Sequence, residues 1–450
     1  MSKNINMTQG NPMKLMVSFA LPLMFGNIFQ QLYTVVDTAI VGRGVGMEAL
    51  AALGSVDWFN WLAIGLVLGF TQGFSVKISQ KYGEGDKEGL KKVIGQSALL
   101  SLVIAVFCTA ISQGALPLFL KMLRVRSDLE GIASLYVRVL LAGLPIVVFY
   151  NFCAAVLRAV GDSKTPLKAM IVAALTNVVL DCVAVFWFKW GVAGAAAATI
   201  IAQCLSGVIC AIKIWKSPDL YFGKQHMRPD AASCRELLRL GVPIAGKNLI
   251  IAVGGMVVQS VVNGFDTSFI AGFTATGKLY GVLEVAALSY SYAITTYMGQ
   301  NYGAGRWERI HSGMKAANIL SLVTAVAIAV LMILFGRPIT MLFIQSDVPQ
   351  MMQQAGNTAY QYLCCMATAL PVLYLLYVYI SALQGVGLTM ATMLAGGVEL
   401  IMRVGVALTV AAVGGTTGIY FAEVSAWCGS AVFLLIYYHY RVRPMIKAHL

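Results

Sequence analysis

The sequence predicts an all-α polytopic membrane protein. Its twelve transmembrane helices form two six-helix lobes related by a pseudo-two-fold axis along the membrane normal. Of its 450 residues, 59% are hydrophobic and only 11% charged, giving a mean hydropathy of +0.77, far from a soluble globular chain. Apolar runs long enough to cross a bilayer, about 20 residues each, fall six before and six after one polar linker. The second half also repeats motifs of the first at a nearly constant distance.

Bounding each apolar run by Gly, Pro or clustered charge places the first six spans at 14–41, 48–78, 90–114, 129–158, 166–188 and 192–215. The second six lie at 235–263, 267–299, 308–335, 348–383, 389–411 and 416–441. The charged stretch 217–233, with Pro218 and Pro229, is the only sizeable linker. The expected organisation is an N-terminal lobe over 1–216, a cytoplasmic linker over 217–233 and a C-terminal lobe over 234–450. The two lysines before Leu15 imitate a signal peptide, but the apolar run continues into a full span without a small-residue cleavage site, so it is read as the first helix.

The repeat is visible in QKYGEGD at 80–86 against QNYGAGR at 300–306, in LRAVGDSKT at 157–165 against LQGVGLTMA at 383–391, and in GVAGAAAAT at 191–199 against GTTGIYFAE at 415–423. Pro22 pairs with Pro243 and Pro145 with Pro371, and all offsets lie between 220 and 226. An even number of crossings per repeat gives both the same orientation, and parallel repeats commonly hold a substrate cavity between their halves.

The net charge of +13 reflects topology rather than a nucleic-acid surface. Of the Lys and Arg residues, 22 lie on the side holding both termini, among them Lys3, Lys14, Lys87, Lys91, Lys92, Lys224, Arg228, Arg306, Arg441 and Arg443. Six lie in or near the opposite loops: Arg43, Lys121, Arg124, Arg126, Lys189 and Arg337. By the positive-inside rule both termini are cytoplasmic, which agrees with an even number of spans, and the location is a bacterial or archaeal plasma (inner) membrane. The nine cysteines show neither CxxC spacing nor a disulfide framework and read as small packing residues.

The fifth span carries Asn177 and Asp181 four residues apart, on one helical face. A carboxylate at mid-bilayer costs about 2.5–3.5 kcal/mol even on the lenient insertion scale, so it turns toward protein, water or a cation. The first span offers Asn27, Gln30, Gln31, Thr34, Asp37 and Thr38 at three- and four-residue steps, a polar stripe expected to face away from lipid. Asp37 and Asp181 are therefore expected to share one cavity in the N-terminal lobe, with Tyr33 one turn before Asp37 as a hydrogen-bond donor to the network. Pro22 removes a backbone hydrogen bond within the first helix and makes a bend there.

These residues resemble the multidrug and toxic compound extrusion (MATE) transporters, and within them the prokaryotic DinF-like branch. The similarity covers the whole chain. It rests on the ALPL stretch with Pro22, DTAIVG at 37–42, the repeated QxYGxG loops, LRAVGDSKTP at 157–166, and the set Asn177, Asp181 and Thr199. The resemblance implies two six-helix lobes about a central cleft and export of substrates in exchange for protons or sodium ions. It also points to Asp37, Asn177, Asp181 and Thr199 as a cation-linked site.

Two carboxylates in a poorly solvated pocket titrate as an interacting pair, which suits a proton carrier. The same carboxylates, with the Asn177 oxygen and the Thr199 hydroxyl, also offer the hard oxygen ligands of a small cation. Both Na⁺ and H⁺ remain open as coupling ion, and no cofactor is expected.

Carried by the repeat, Asn177 falls on Arg403 and Asp181 on Ala407, so the second lobe does not reproduce the cation site. Glu399 and Arg403 are four apart and are expected to form an internal salt bridge, while Glu284 and Glu423 lack sequence-local partners. Glu284, Gln259 and Met256 are candidates for a substrate cleft. The 21 Met and 39 Phe and Tyr residues suit an adaptable apolar pocket.

The function expected is a secondary active efflux antiporter and not an enzyme, since its four histidines lie in loops or at span ends and no nucleophile, metal motif or nucleotide loop is visible. It would export lipophilic, cationic small molecules by alternating access, as a monomer in the bilayer, without nucleic-acid partners. The alternative is a lipid-linked saccharide or lipid flippase of the related superfamily. Such a protein needs several cations for phosphate, for which only Arg138, Lys247 and Arg403 are candidates.

Overall fold

A computed structural model describes residues 5–122, 127–341, 344, 349–413 and 416–449. Lys3, Arg124 and Arg126 of the charge bias, and Gly415 of the third repeated motif, lie outside the described residues. The first half contains α1 (Pro12–Gly44), α2 (Met47–Glu84), α3 (Lys87–Met122), α4 (Ser127–Ala142), α5 (Leu144–Ala159), α6 (Lys164–Cys182) and α7 (Gly191–Trp215). The second contains α8 (Ala231–Val262), α9 (Thr267–Gly303), α10 (Trp307–Met341), α11 (Pro349–Gly385), α12 (Thr389–Val413), α13 (Phe421–Tyr437) and the short α14 (Arg443–Ala448). No strand occurs among the described residues, as expected where lipid leaves backbone groups only their own helix to bond with.

Among the described residues, ten segments are individually long and apolar enough to cross a membrane, and α4 with α5 forms an eleventh, bent by 44°. The twelfth is α9, less apolar because its second half carries Ser289, Ser291, Thr295, Thr296, Gln300 and Asn301, all buried. The bend between α4 and α5 falls at Gly143-Leu144-Pro145, where the missing proline donor coincides with a glycine. The repeat counterpart, Ala369-Leu370-Pro371, stays inside one continuous helix, α11.

The repeat is present in the backbone as well as in the letters. Gly85 (φ +76°) and Gly305 (φ +66°) both take the left-handed conformation that stops the preceding helix. Their amides donate to Tyr82 O at 3.2 Å and Tyr302 O at 3.1 Å. Gly161 (φ +90°) and Gly387 (φ +86°) do the same after α5 and α11. The following residues close matching bonds, Asp162 N to Leu157 O at 2.9 Å and Leu388 N to Leu383 O at 2.8 Å. The helices around the QxYGxG loops extend beyond the apolar runs, α2 to Glu84 and α3 from Lys87, because polar helix former sequence continues to the glycine stop.

The chain forms two compact units, Met1–Gln9 with Leu21–Asn248, and Gly10–Ala20 with Leu249–Leu450. The first has a core of residues such as Val67, Phe74, Ile94, Val148, Phe152, Val156 and Cys210. Within it, Gly69 and Gly73 of α2 let that helix meet α8 backbone to backbone: an added Cβ would lie 2.3 Å from the Cα of Ala245 and of Gly241 respectively. Small residues four apart are a common basis for close helix packing where lipid offers no hydrophobic drive. In the second unit α9 and α11 pack together, and Phe269, Phe273, Tyr362 and Tyr420 stack with ring centroids 4.5–5.8 Å apart.

Candidate functional site

In the first unit, α1, α6 and α7 bring Asp37, Asn177, Asp181 and Thr199 together. Asp181 is fully buried and Asn177 is 2% exposed, while Asp37 and Thr199 are half-buried. The two carboxylates lie close enough to interact electrostatically, and Tyr33 feels both. Asn177 Nδ2 donates to Thr199 Oγ1 at 3.4 Å, and that hydroxyl donates onward to Ala195 O at 3.1 Å. This orients the Asn177 amide with its oxygen unengaged. Among the described residues, no donor reaches Asp37 Oδ1, Asn177 Oδ1 or either Asp181 oxygen.

Buried acceptors without donors are costly. Four such oxygens, three of them from carboxyl groups, form a set that a proton or a small hard cation would satisfy. Close packing supports the arrangement. The small-residue start of α7 lies against the turn that follows α6, where a Cβ on Gly194 would come within 3.0 Å of Ala184 Cβ. A turn of π-helix, Val183–Trp187, follows directly after Asp181 and Cys182, an irregularity common at functional sites.

A cavity of about 40 Å³ adjoins these residues, lined by Gln30, Tyr33, Tyr150, Met170, Asn177, Thr199, Gln203 and others. Gln203, absent from the sequence reading, buries an Oε1 without a donor. It lies one turn after Thr199 on α7, a spacing from which it could have been found. The stripe on α1 is less uniform than expected. Thr34 and Thr38 are exposed and turn their hydroxyls back to Gln30 O (2.9 Å) and Thr34 O (2.8 Å). Asn27 is half-buried and Gln30 exposed. Pro22 lies inside α1 without ending it.

The second unit has a different polar cluster. Arg403 Nη2 lies 3.9 Å from Glu399 Oε2, the ion pair expected within α12, and also donates at 2.6 Å to Glu423 Oε2 of α13, a shorter second pair. Glu284 accepts hydrogen bonds from Tyr280, one turn away on α9, at 3.3 Å, and from Tyr377 of α11. Glu284 and Glu423 therefore do have partners: a phenol pair and a guanidinium. Gln259 donates to Asn263 at 2.8 Å, and Met256, about one turn earlier on α8, is half-buried. Among the described residues no group of three or more His, Cys, Asp and Glu is arranged to hold a metal ion.

A helical fold of two repeats with a buried acidic pocket among its spans is that of a membrane transporter. The family model MatE matches residues 22–183 and 243–409, and the chain belongs to that family. Among curated proteins it is similar to the probable multidrug resistance protein YpnP of Bacillus subtilis, 29% identical over 68% of this chain and 69% of that one. It is also similar to the probable multidrug resistance protein NorM of Thermotoga maritima, 27% identical over 73% and 72% of the two chains. Among solved structures, one described as the outward-facing conformation of a multidrug resistance MATE family transporter superposes with a TM-score of 0.90 at 25% identity, covering 100% of this chain and 99% of the other.

Proposed function

We infer that this protein is a multidrug efflux antiporter of the plasma membrane, exporting lipophilic, cationic small molecules by alternating access in exchange for H⁺ or Na⁺. Its coupling site is Asp37, Asn177, Asp181 and Thr199. The observation that carries this reading is the group of buried oxygens without donors around the fully buried Asp181. A site of that kind gains a cation on one side of the cycle and must release it on the other, and its occupancy would change the local charge that α1 experiences at Asp37. Tyr33 and Gln30 support the site, and Pro22, inside α1, removes a backbone hydrogen bond and so marks where that helix can bend. Glu284, held by Tyr280 and Tyr377, is the carboxylate of the second unit assigned in this reading to attracting a cationic substrate. The protein acts as a monomer, with both termini cytoplasmic.

The flippase alternative loses a requirement. Of its three candidate phosphate-binding cations, Arg403 is spent on Glu423 and Arg138 is exposed, with Nε donating to Ser134 Oγ at 3.3 Å.

The test is efflux of a fluorescent lipophilic cation from proteoliposomes under an imposed proton gradient and then a sodium gradient. Wild type should follow one of them, and Asp37→Asn should follow neither while still inserting and folding. Equal gradient-driven efflux by both proteins would remove the site from the coupling mechanism.

A further inference from the structure

The repeat equates more than loops. The step that carries Asn177 to Arg403 carries Asp181 to Ala407, and the step matching GVAGAAAAT with GTTGIYFAE carries Thr199 to Glu423. In each unit the equated residues touch: Asn177 Nδ2 with Thr199 Oγ1 at 3.4 Å, and Arg403 Nη2 with Glu423 Oε2 at 2.6 Å. The two helix pairs, α6 with α7 and α12 with α13, thus present corresponding positions to one another in both repeats.

The surroundings differ in complementary ways. The first repeat has Asp181 and leaves its buried acceptor oxygens without donors. The second has the fully buried Ala407 in place of that carboxylate and supplies its own cation, a guanidinium whose side chain is only 5% exposed. Space for it comes from α8. The step that carries Pro22 to Pro243 carries Tyr33, which lies beside the carboxylates of the first site, to Gly254. A Cβ at Gly254 would stand 3.1 Å from Arg403 Nη1 and 3.3 Å from its Cδ. Nη1 in turn donates to Ile251 O at 3.4 Å.

We propose that Arg403 is a tethered internal cation. In the second repeat its guanidinium occupies the position at which the first repeat takes its exchangeable cation, so the second lobe is permanently loaded and one exchangeable site remains. This rests on the coupling role of Asp37 and Asp181. A guanidinium is always charged and cannot leave, and its planar fork matches carboxylates on adjacent helices. Its position can therefore be filled but not cycled. Removing the side chain should create a latent site for a small monovalent cation, above all free guanidinium, bounded by Glu423 and Glu399.

The experiment is thermal unfolding of the purified full-length protein in detergent, with guanidinium, sodium or choline chloride at equal tens-of-millimolar concentration. Each salt's effect is read against wild type, whose own response to sodium reports the first site. Arg403→Ala should melt several degrees lower and recover at least half the gap with guanidinium, less with sodium and none with choline, and adding Glu423→Gln should abolish the recovery. The converse variant, Arg403→Asn with Ala407→Asp, Glu423→Thr and Val258→Asp, the last at the position to which the step from Pro22 to Pro243 carries Asp37, writes all four groups of the first site into the second repeat. In proteoliposomes it should raise the number of coupling cations moved per substrate.

Should Arg403→Ala fail to accumulate, Arg403→Lys and the apolar Arg403→Met decide the matter: accumulation with Lys alone supports a required cation, and equal accumulation and transport with Met overturns it. An Arg403→Ala protein that folds but responds to each salt as wild type does also overturns the proposal, and would leave the first site's coupling role untouched. Rescue by guanidinium alongside normal gradient-driven transport by Asp37→Asn would instead remove the coupling role and with it the equivalence of the two positions.

Discussion

Arg403 and Glu423 meet at 2.6 Å across α12 and α13, with the guanidinium side chain 5% exposed and the carboxylate side chain 20% exposed. A pair so withdrawn from water loses solvation that only the partner restores, so breaking it from one side is costly even where the intact pair adds little. Glu423→Gln should destabilise the protein by about 2–4 kcal/mol, seen as a lowered melting temperature in detergent. Pairing it with Arg403→Gln should recover at least about 1 kcal/mol relative to the sum of the single changes. Strict additivity would mean the two side chains do not depend on each other.

The distribution of small residues makes a second prediction. Gly69 and Gly73 have backbone at 2.3 Å from the place of a Cβ, and backbone cannot rotate aside. Gly69→Ala and Gly73→Ala should each cost about 3 kcal/mol or more, the upper end of overpacking. Gly114, also helical, is exposed with nothing within 4 Å. There alanine should be neutral or stabilising by about 1 kcal/mol, from helix propensity alone. Size-exclusion profiles of fluorescent-protein fusions would rank the three.

The same contrast explains what the sequence could reveal. Spans, repeats and the Asp181 face were legible because they depend on composition and on spacing along one helix. The glycine stops at Gly85, Gly161, Gly305 and Gly387 belong to motifs repeated in the letters themselves. The Arg403 pair with Glu399 is legible because an i to i+4 spacing is displayed by one helix, whereas its second partner, Glu423, arrives from the next helix. The repeat already held that answer, since Asn177 and Thr199 are its counterparts. Tyr280 was overlooked beside Glu284 although it is one turn away, because a buried phenol reads first as apolar packing. Thr34 and Thr38 looked like site residues, but a threonine hydroxyl within a helix can satisfy itself on the carbonyl four residues back.

A third prediction concerns the linker, which is fastened to α3. Gln96 Nε2 donates to His226 O at 2.9 Å and Arg228 O at 2.7 Å, and Gln96 Oε1 accepts from Asp230 N at 3.1 Å. Lys92 and Ser233 hold the Asp230 carboxyl down at about 2. Because the folded value lies below the unfolded one, its contribution is complete above the usual carboxylate range and is lost as pH falls from about 4 through about 2. Pepsin cleavage at Leu220-Tyr221-Phe222, normalised to an unstructured peptide of the same sequence, should be slow near pH 4 and accelerate toward pH 2. In Asp230→Asn it should already be fast near pH 4. Wild-type cleavage that is equally fast at both would mean that the linker is not held by this carboxylate.

The last prediction separates the parts of the coupling site. Asp181 supplies two buried oxygens without donors, and its charge is what a cation answers, so Asp181→Asn should abolish gradient-driven efflux as Asp37→Asn does. Asn177 and Thr199 supply neutral oxygens, and their loss should weaken the site without emptying it of charge. In Asn177→Ala and Thr199→Val the driving-cation concentration at half-maximal efflux should rise on the order of tenfold, about 1.4 kcal/mol, with the maximal rate retained. Val172 lies on the exposed face of the same helix at 41% exposure and serves as the control, Val172→Leu leaving both quantities unchanged. A fall in maximal rate at unchanged half-saturation would place Asn177 and Thr199 in the conformational step rather than among the groups that hold the cation.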